Sequence, residues 1–158
     1  MNLRLLSLWR IPTGLVVGYL AWNGTHPAIL MLALAMPLLV MNSPSRATAG
    51  LTALAYYLGS AWDLPHGAAV FFGDNLGSGL LNTAGSYALW LGASLALSLP
   101  WWALWTSQSQ WRGLHLLLAL FLVALPPIGI VGWAWPLTAT GLVLPGFGWI
   151  GLGLMAFW

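Results

Sequence analysis

Apolar runs fill most of this chain, and short polar or Pro/Gly-rich breaks divide them. Read as helices, the runs predict six segments: Ile11 to Trp22, Pro27 to Met41, Ala47 to Trp62, Gly79 to Trp105, Leu114 to Val131 and Leu142 to Trp158. The breaks are Asn23-Gly24-Thr25-His26, Asn42-Ser43-Pro44-Ser45-Arg46, Asp63 to Ser78, Thr106 to Gly113 and Gly132 to Gly141. Pro12 suits a first helical turn, where its missing N–H costs nothing. Pro37 predicts a bend in the second segment, and Pro126-Pro127 a kink or early end in the fifth. A helix that spans a bilayer takes about 20 apolar residues, so several of these segments are short and the fourth is long enough to tilt. The first extends back through Leu8 if Arg10 snorkels to the headgroups. The first two segments could equally form a re-entrant hairpin, which leaves the sidedness of the rest unchanged.

Composition supports a membrane reading. The chain has 158 residues, 60% of them hydrophobic and 4% charged, against about 25% charged in a soluble domain. The expectation is an all-α, polytopic transmembrane helical bundle of about six spans, several short or kinked by Pro and Gly, within a single domain of residues 1–158. Disorder is excluded by the same hydrophobicity. Met1 to Arg10 has the basic start of a signal peptide, but no small-x-small cleavage site follows, so it reads as part of a retained first span.

Charge gives a sidedness. The ionised side chains are Arg4, Arg10, Arg46, Arg112, Asp63 and Asp74. With six spans every Arg falls on one side and both Asp on the other. The positive-inside rule then makes the Arg side, and both termini, cytoplasmic. This predicts a multi-pass protein of a bacterial inner membrane, with Asp63 to Ser78 as its external loop. The twelve Trp fall mostly near predicted span ends, as in an interfacial aromatic belt.

Candidate chemistry is sparse. There is no Cys, Lys or Glu, which removes disulfides, thiolate nucleophiles, zinc–thiolate sites, Schiff bases and P-loops. The Arg are scattered rather than striped, so no nucleic-acid footprint is expected. No ionisable residue lies near the middle of a predicted span, which argues against a pump or coupled carrier. In the loop, Asp63, His66, Asp74 and Asn75 are candidate contact residues. One helical turn would bring Asp63 and His66 together as a metal or acid–base pair. The plainer alternative is a solvated loop with Asp63 as a helix cap. Gly14 and Gly18 form a G-x-x-x-G that could mark close helix packing. His26 and His115 read as capping residues, and Asn82, Ser86 and Ser94 as interhelical hydrogen-bond formers. Pro126, Pro127, Trp133, Trp135, Pro136, Pro145 and Gly146 belong to a kinked, aromatic turn region that suggests a docking feature. No catalytic, cofactor-binding or metal residue is assigned, and no cofactor is expected.

That turn region, from Pro126 to Trp149, resembles the membrane half of the conjugal transfer protein TraB family, whose members are similar to apolipoprotein N-acyltransferases. Tyr56-Tyr57-Leu58, Leu64-Pro65-His66-Gly67, Phe71-Phe72-Gly73 and the Asn42–Arg46 turn are similar to the same family. The likeness covers roughly residues 12 to 155. It implies membrane helices leading into a nitrilase-like domain with a Glu–Lys–Cys triad, in which Cys is the nucleophile. This chain has none of those residue types, so no catalytic residue carries over and no enzyme activity is expected of it alone. The resemblance implies a truncated or separately encoded membrane part, an anchor or platform for an absent catalytic domain. The alternatives are a self-standing scaffold or partner in a transfer or envelope complex, and a small facilitator. The partners expected are membrane lipid and other membrane or conjugation-apparatus proteins.

Overall fold

The computed structural model describes residues 8–77, 79–131 and 133–157, and among them the chain is helical with no strand. The first half runs α1 (Arg10–Asn23), a 3-10 helix (Pro27–Leu34), α2 (Ala35–Met41), α3 (Arg46–Ser60), α4 (Leu64–Phe71) and α5 (Gly73–Leu76). The second runs α6 (Leu80–Ala103), α7 (Ser109–Ala124), 3-10 turns at Ile128–Val131 and Pro136–Ala139, α8 (Thr140–Val143) and α9 (Gly148–Phe157).

Local chemistry sets the element boundaries. His26 Nδ1 accepts from the Ala28 N–H at 3.2 Å and starts the first 3-10 helix, with Pro27 behind it. Ser45 Oγ accepts from the Thr48 N–H at 3.2 Å and caps α3. Such a cap satisfies one of the orphan donors at a helix start. Pro126 follows the end of α7 and removes a backbone donor there.

The six-span bundle is corrected by these elements. No helix among the described residues is long and apolar enough to cross a membrane. The helices α1, α3 and α7 have 14, 15 and 16 residues, which is roughly 21–24 Å of helix against a hydrocarbon core of about 30 Å. The second apolar run divides into an 8-residue 3-10 helix and a 7-residue α-helix. The sixth divides between α8 and the 10-residue α9. Among the described residues only α6, with 24 residues, has the length. Asn82, Thr83, Ser86, Ser94 and Ser98, together with Gly85 and Gly92, dilute its apolar character. The inner-membrane location and the cytoplasmic placement of both termini rested on those crossings, and they fall with them. The same holds for the external placement of the 63–78 loop, most of which is the short helices α4 and α5.

Packing is built on α3. The helices α1 and α3 run parallel, since Gly14 lies against Thr52 and Gly18 against Tyr56, while Asn23 Nδ2 donates to the Gly59 carbonyl at 3.4 Å. The glycines permit this approach. A Cβ on Gly14 would stand 2.6 Å from the Thr52 carbonyl oxygen, and one on Gly18 would overlap the Tyr56 carbonyl. The helix α6 runs antiparallel to α3: Trp90 Nε1 donates to the Leu58 carbonyl at 3.3 Å, and Trp102 packs over Gly50. Between these helices lies a core of small and aromatic side chains, including Ala49, Ala53, Tyr56, Tyr57, Leu97 and Trp101. Met36 and Val123 complete it from α2 and α7.

Candidate functional site

Helix directions collect the charges. Arg10 and Arg46 open α1 and α3, and Arg112 lies in the first turns of α7. Arg46 Nη2 donates to the Trp105 carbonyl at 3.5 Å and Arg112 Nη2 to the Ser107 carbonyl at 3.2 Å, so both guanidinium groups reach the loop between α6 and α7. Asp63 follows the far end of α3, a helix roughly 22 Å long, and Asp74 lies in α5 beyond it. The fold thus has an arginine end and an aspartate end. Arg4 lies outside the described residues.

The aspartate end carries most of the contact residues expected from the sequence. Asp63, His66 and Asp74 are all exposed. Asn75 lies in α5, and its side chain is outside the described residues. Asp63 sits at the N-cap position of α4 but makes no side-chain cap bond. Among the described residues no three His, Asp, Glu or Cys side chains stand close enough to hold a metal ion. What surrounds them is apolar. Val70, Phe71, Leu80 and Leu81 are 68%, 76%, 85% and 70% exposed. Asn82 joins the two parts of this surface, its Nδ2 donating to the Ala69 carbonyl at 2.8 Å and tying α6 to α4. The result is an apolar knob at the end of the fold that also carries two carboxylates and an imidazole. Exposed apolar patches of this kind mark interaction surfaces.

The turn region forms a second feature. Pro126 and Pro127 are joined by a cis peptide after α7. Trp133 and Trp135 are half-buried, and Pro136 is buried. Trp135 Nε1 donates to the Leu120 carbonyl at 3.1 Å, fixing the turn to α7. Pro145 and Gly146 lead into α9, and Gly146 adopts φ +83°, a conformation that favours glycine. An open groove runs between Trp135, Thr138, Gly146 and Trp149.

Several tryptophans serve a purpose that the belt reading missed. Trp22 Nε1 donates to the Tyr56 hydroxyl at 2.8 Å, and that hydroxyl donates to the Ala134 carbonyl at 3.3 Å. Trp101 Nε1 donates to the Tyr57 hydroxyl at 3.1 Å. These indoles are internal struts that tie α1, α3, α6 and the turn region together. Burial pushes both tyrosines well above the usual phenol range, and for Tyr57 the neighbouring Tyr56 adds to the effect. Both stay neutral and act as hydrogen-bonding centres. A Tyr-Tyr pair within an Ala-, Gly- and Thr-rich helix was the sequence signal that could have found them. Of the other polar residues, Ser86 Oγ donates within its own helix to the Asn82 carbonyl at 2.8 Å, and Ser94 Oγ has no partner among the described residues.

No family model matches this sequence, and no solved structure matches it. Two curated proteins match almost all of it. The probable conjugal transfer protein TraB of Sinorhizobium fredii is 40% identical over 149 residues, which is 94% of this chain and 35% of that protein. The conjugal transfer protein TraB of Agrobacterium fabrum is 38% identical over 160 residues, which is 92% of this chain and 36% of that protein. The chain therefore spans about a third of the length of the curated relatives it matches, and over that third it is a homologue of proteins named for conjugal transfer.

Proposed function

We propose that this chain is a helical docking module of a conjugal transfer protein, and that it binds another protein of the transfer apparatus through the knob at its aspartate end. The observation that carries this reading is the similarity to two proteins named for conjugal transfer, extending over more than nine-tenths of the chain. The knob supports it physically. Phe71 and Leu80 expose large apolar area, and covering it stabilises a complex by roughly 25 cal/mol per Å² before the costs of association. Asp63, His66 and Asp74, at the same end, supply polar groups that orient a partner. The turn region from Pro126 to Gly146 is a second docking surface in this reading, braced by Trp135.

The matched region is a minor part of the relatives' length, and we read it as the platform on which the remainder is held. The acyltransferase-like side of the resemblance is not reflected in the relatives' names. The chain itself has no Cys, Lys or Glu, so the triad that the resemblance implies has no counterpart in it, and the reading assigns it attachment.

The test is a photo-crosslinking residue placed at Phe71 or Leu80 in mating donor cells, with Leu15 as an exposed position on α1 for comparison. The reading expects adducts from the knob positions, and not from Leu15, with one protein encoded in the transfer region and identified by mass. Adducts only with a second copy of this chain, or none from the knob, would refute it.

A further inference from the structure

One face of α6 stays open. Ala84, Ala88, Leu91, Leu95, Leu99 and Trp102 follow one another at intervals of three or four residues, the period of a single helix face. All of them are exposed. Trp102 keeps 47% of its surface open even though it covers Gly50. The opposite face of α6 holds Leu97 and Trp101 in the core, with Ser94 and Ser98 buried beside them. From Leu80 to Ala103 the helix carries no charged side chain. An apolar stripe running the length of a helix is the surface that packs against another helix.

Size along the stripe selects the partner. Its first half is small, with Ala84 and Ala88, and its second half is large, with Leu95, Leu99 and Trp102. A second copy of α6 laid antiparallel brings Trp102 against Ala84 of the other chain, Leu99 against Ala88, and Leu95 beside Leu91. Large side chains then meet small ones at both ends of the seam, the interdigitation that close helix packing needs. A parallel copy would set Trp102 on Trp102 and leave a gap between the alanines. Charge selects the same arrangement. Arg46 Cζ lies 6.0 Å from the centre of the Trp102 ring, so the large half of the stripe belongs to the arginine end. The bond from Asn82 to the Ala69 carbonyl ties the small half to α4 and the aspartate end. Antiparallel pairing sets the arginine end of each chain beside the aspartate end of the other, whereas parallel pairing would stack like charges.

We propose that this face of α6 pairs antiparallel with the same face of a second copy, giving a two-fold dimer in which one patch serves both chains. The seam ends at Ala84, so Phe71 and Leu80 of the knob lie beyond it. The dimer therefore stands or falls independently of the docking proposed above.

The chain has no Cys, so an introduced thiol reports on one position. Ala88→Cys and Leu99→Cys are made in separate copies of the chain, and each is oxidised alone and as an equimolar mixture. A disulfide needs Cα atoms within about 7 Å. In the antiparallel pair positions 88 and 99 meet, while two copies of either position stand about 16 Å apart along the helix. The expected result is a linked dimer from the mixture, at least tenfold more than from either variant alone. Equal yields from a single variant, or no dimer in the mixture, would overturn the proposal. Sedimentation of the unaltered chain gives a second reading that needs no thiol. A reversible species of twice the 17.0 kDa chain mass is expected. Ala88→Trp fills the small half of the seam and should weaken self-association by at least about tenfold. A chain that stays monomeric, because lipid or another protein covers this face, would overturn the proposal, as would undiminished association of Ala88→Trp. Unchanged far-ultraviolet circular dichroism of each variant shows that a lost dimer is not unfolding.

Discussion

Replacing Gly18 with Ala should destabilise the protein, although Ala is the better helix former. The new Cβ would overlap the Tyr56 carbonyl oxygen, and would stand 2.9 Å from the Tyr56 carbonyl carbon and 3.1 Å from the Ser60 nitrogen. These are backbone atoms of α3 and cannot swing aside. Comfortable separations begin at about 3.5 Å, so α1 and α3 must part by roughly 1 Å. Overpacking of this kind costs about 1–3 kcal/mol. The gain in helix propensity returns up to about 1 kcal/mol, leaving a net loss of about 1–2 kcal/mol. Gly85 and Gly92 supply the control, because a Cβ at either meets nothing within 4 Å. Ala at those sites should stabilise by up to about 1 kcal/mol. Urea unfolding followed by circular dichroism at 222 nm measures all three. If Gly18→Ala were as stable as the parent, or matched Gly85→Ala, the parallel contact between α1 and α3 would be wrong.

Three further outcomes follow from the same packing. Tyr56→Phe leaves the Trp22 indole N–H and the Ala134 carbonyl without their bonds and should cost about 1–3 kcal/mol, read as a lower urea midpoint at unchanged slope. Ser45→Ala removes the cap of α3 and should cost about 0.5–2 kcal/mol, whereas Ser45→Asp should retain most of the stability. The tyrosines give a pH dependence with a definite sign. Tyr56 and Tyr57 have phenol pKa values raised by burial, so the folded state holds their protons where the unfolded state releases them. Their contribution is fully present below the unfolded phenol value near 10 and is lost as pH rises above it. Stability measured from pH 9 to 11.5 should fall, and the fall should be shallower in Tyr57→Phe; equal slopes would contradict the assignment.

Much of the local order is legible in the sequence. The Asn42–Arg46 break announces the start of α3 through Ser45, and Pro126 follows the end of α7. The separation of Arg from Asp is also legible, because each described Arg stands near the start of a helix and both Asp follow α3. The crossing of a membrane was read from the summed length of apolar runs, and that is where the reading failed. A run such as Pro27–Met41 has the apolar character but folds as two short helices. In α6, Asn82, Ser86 and Ser94 turn toward the interior and lower the apolar density of the one helix among the described residues with sufficient length. Tryptophan was misread for a related reason. Trp22 and Trp101 stand at the ends of apolar runs, where an interface would place them, yet their indoles point to buried tyrosines.

Transfer frequency tests the central claim most directly. Donor cells carrying Phe71→Ser together with Leu80→Ser in this region would be mated against the parent and against Gly85→Ala, with folding of each variant checked by circular dichroism. The docking account predicts that the knob variant folds like the parent but transfers at least tenfold less, about the effect of losing 1.4 kcal/mol at a required interface, while Gly85→Ala transfers normally. Parental transfer by a folded knob variant would contradict it.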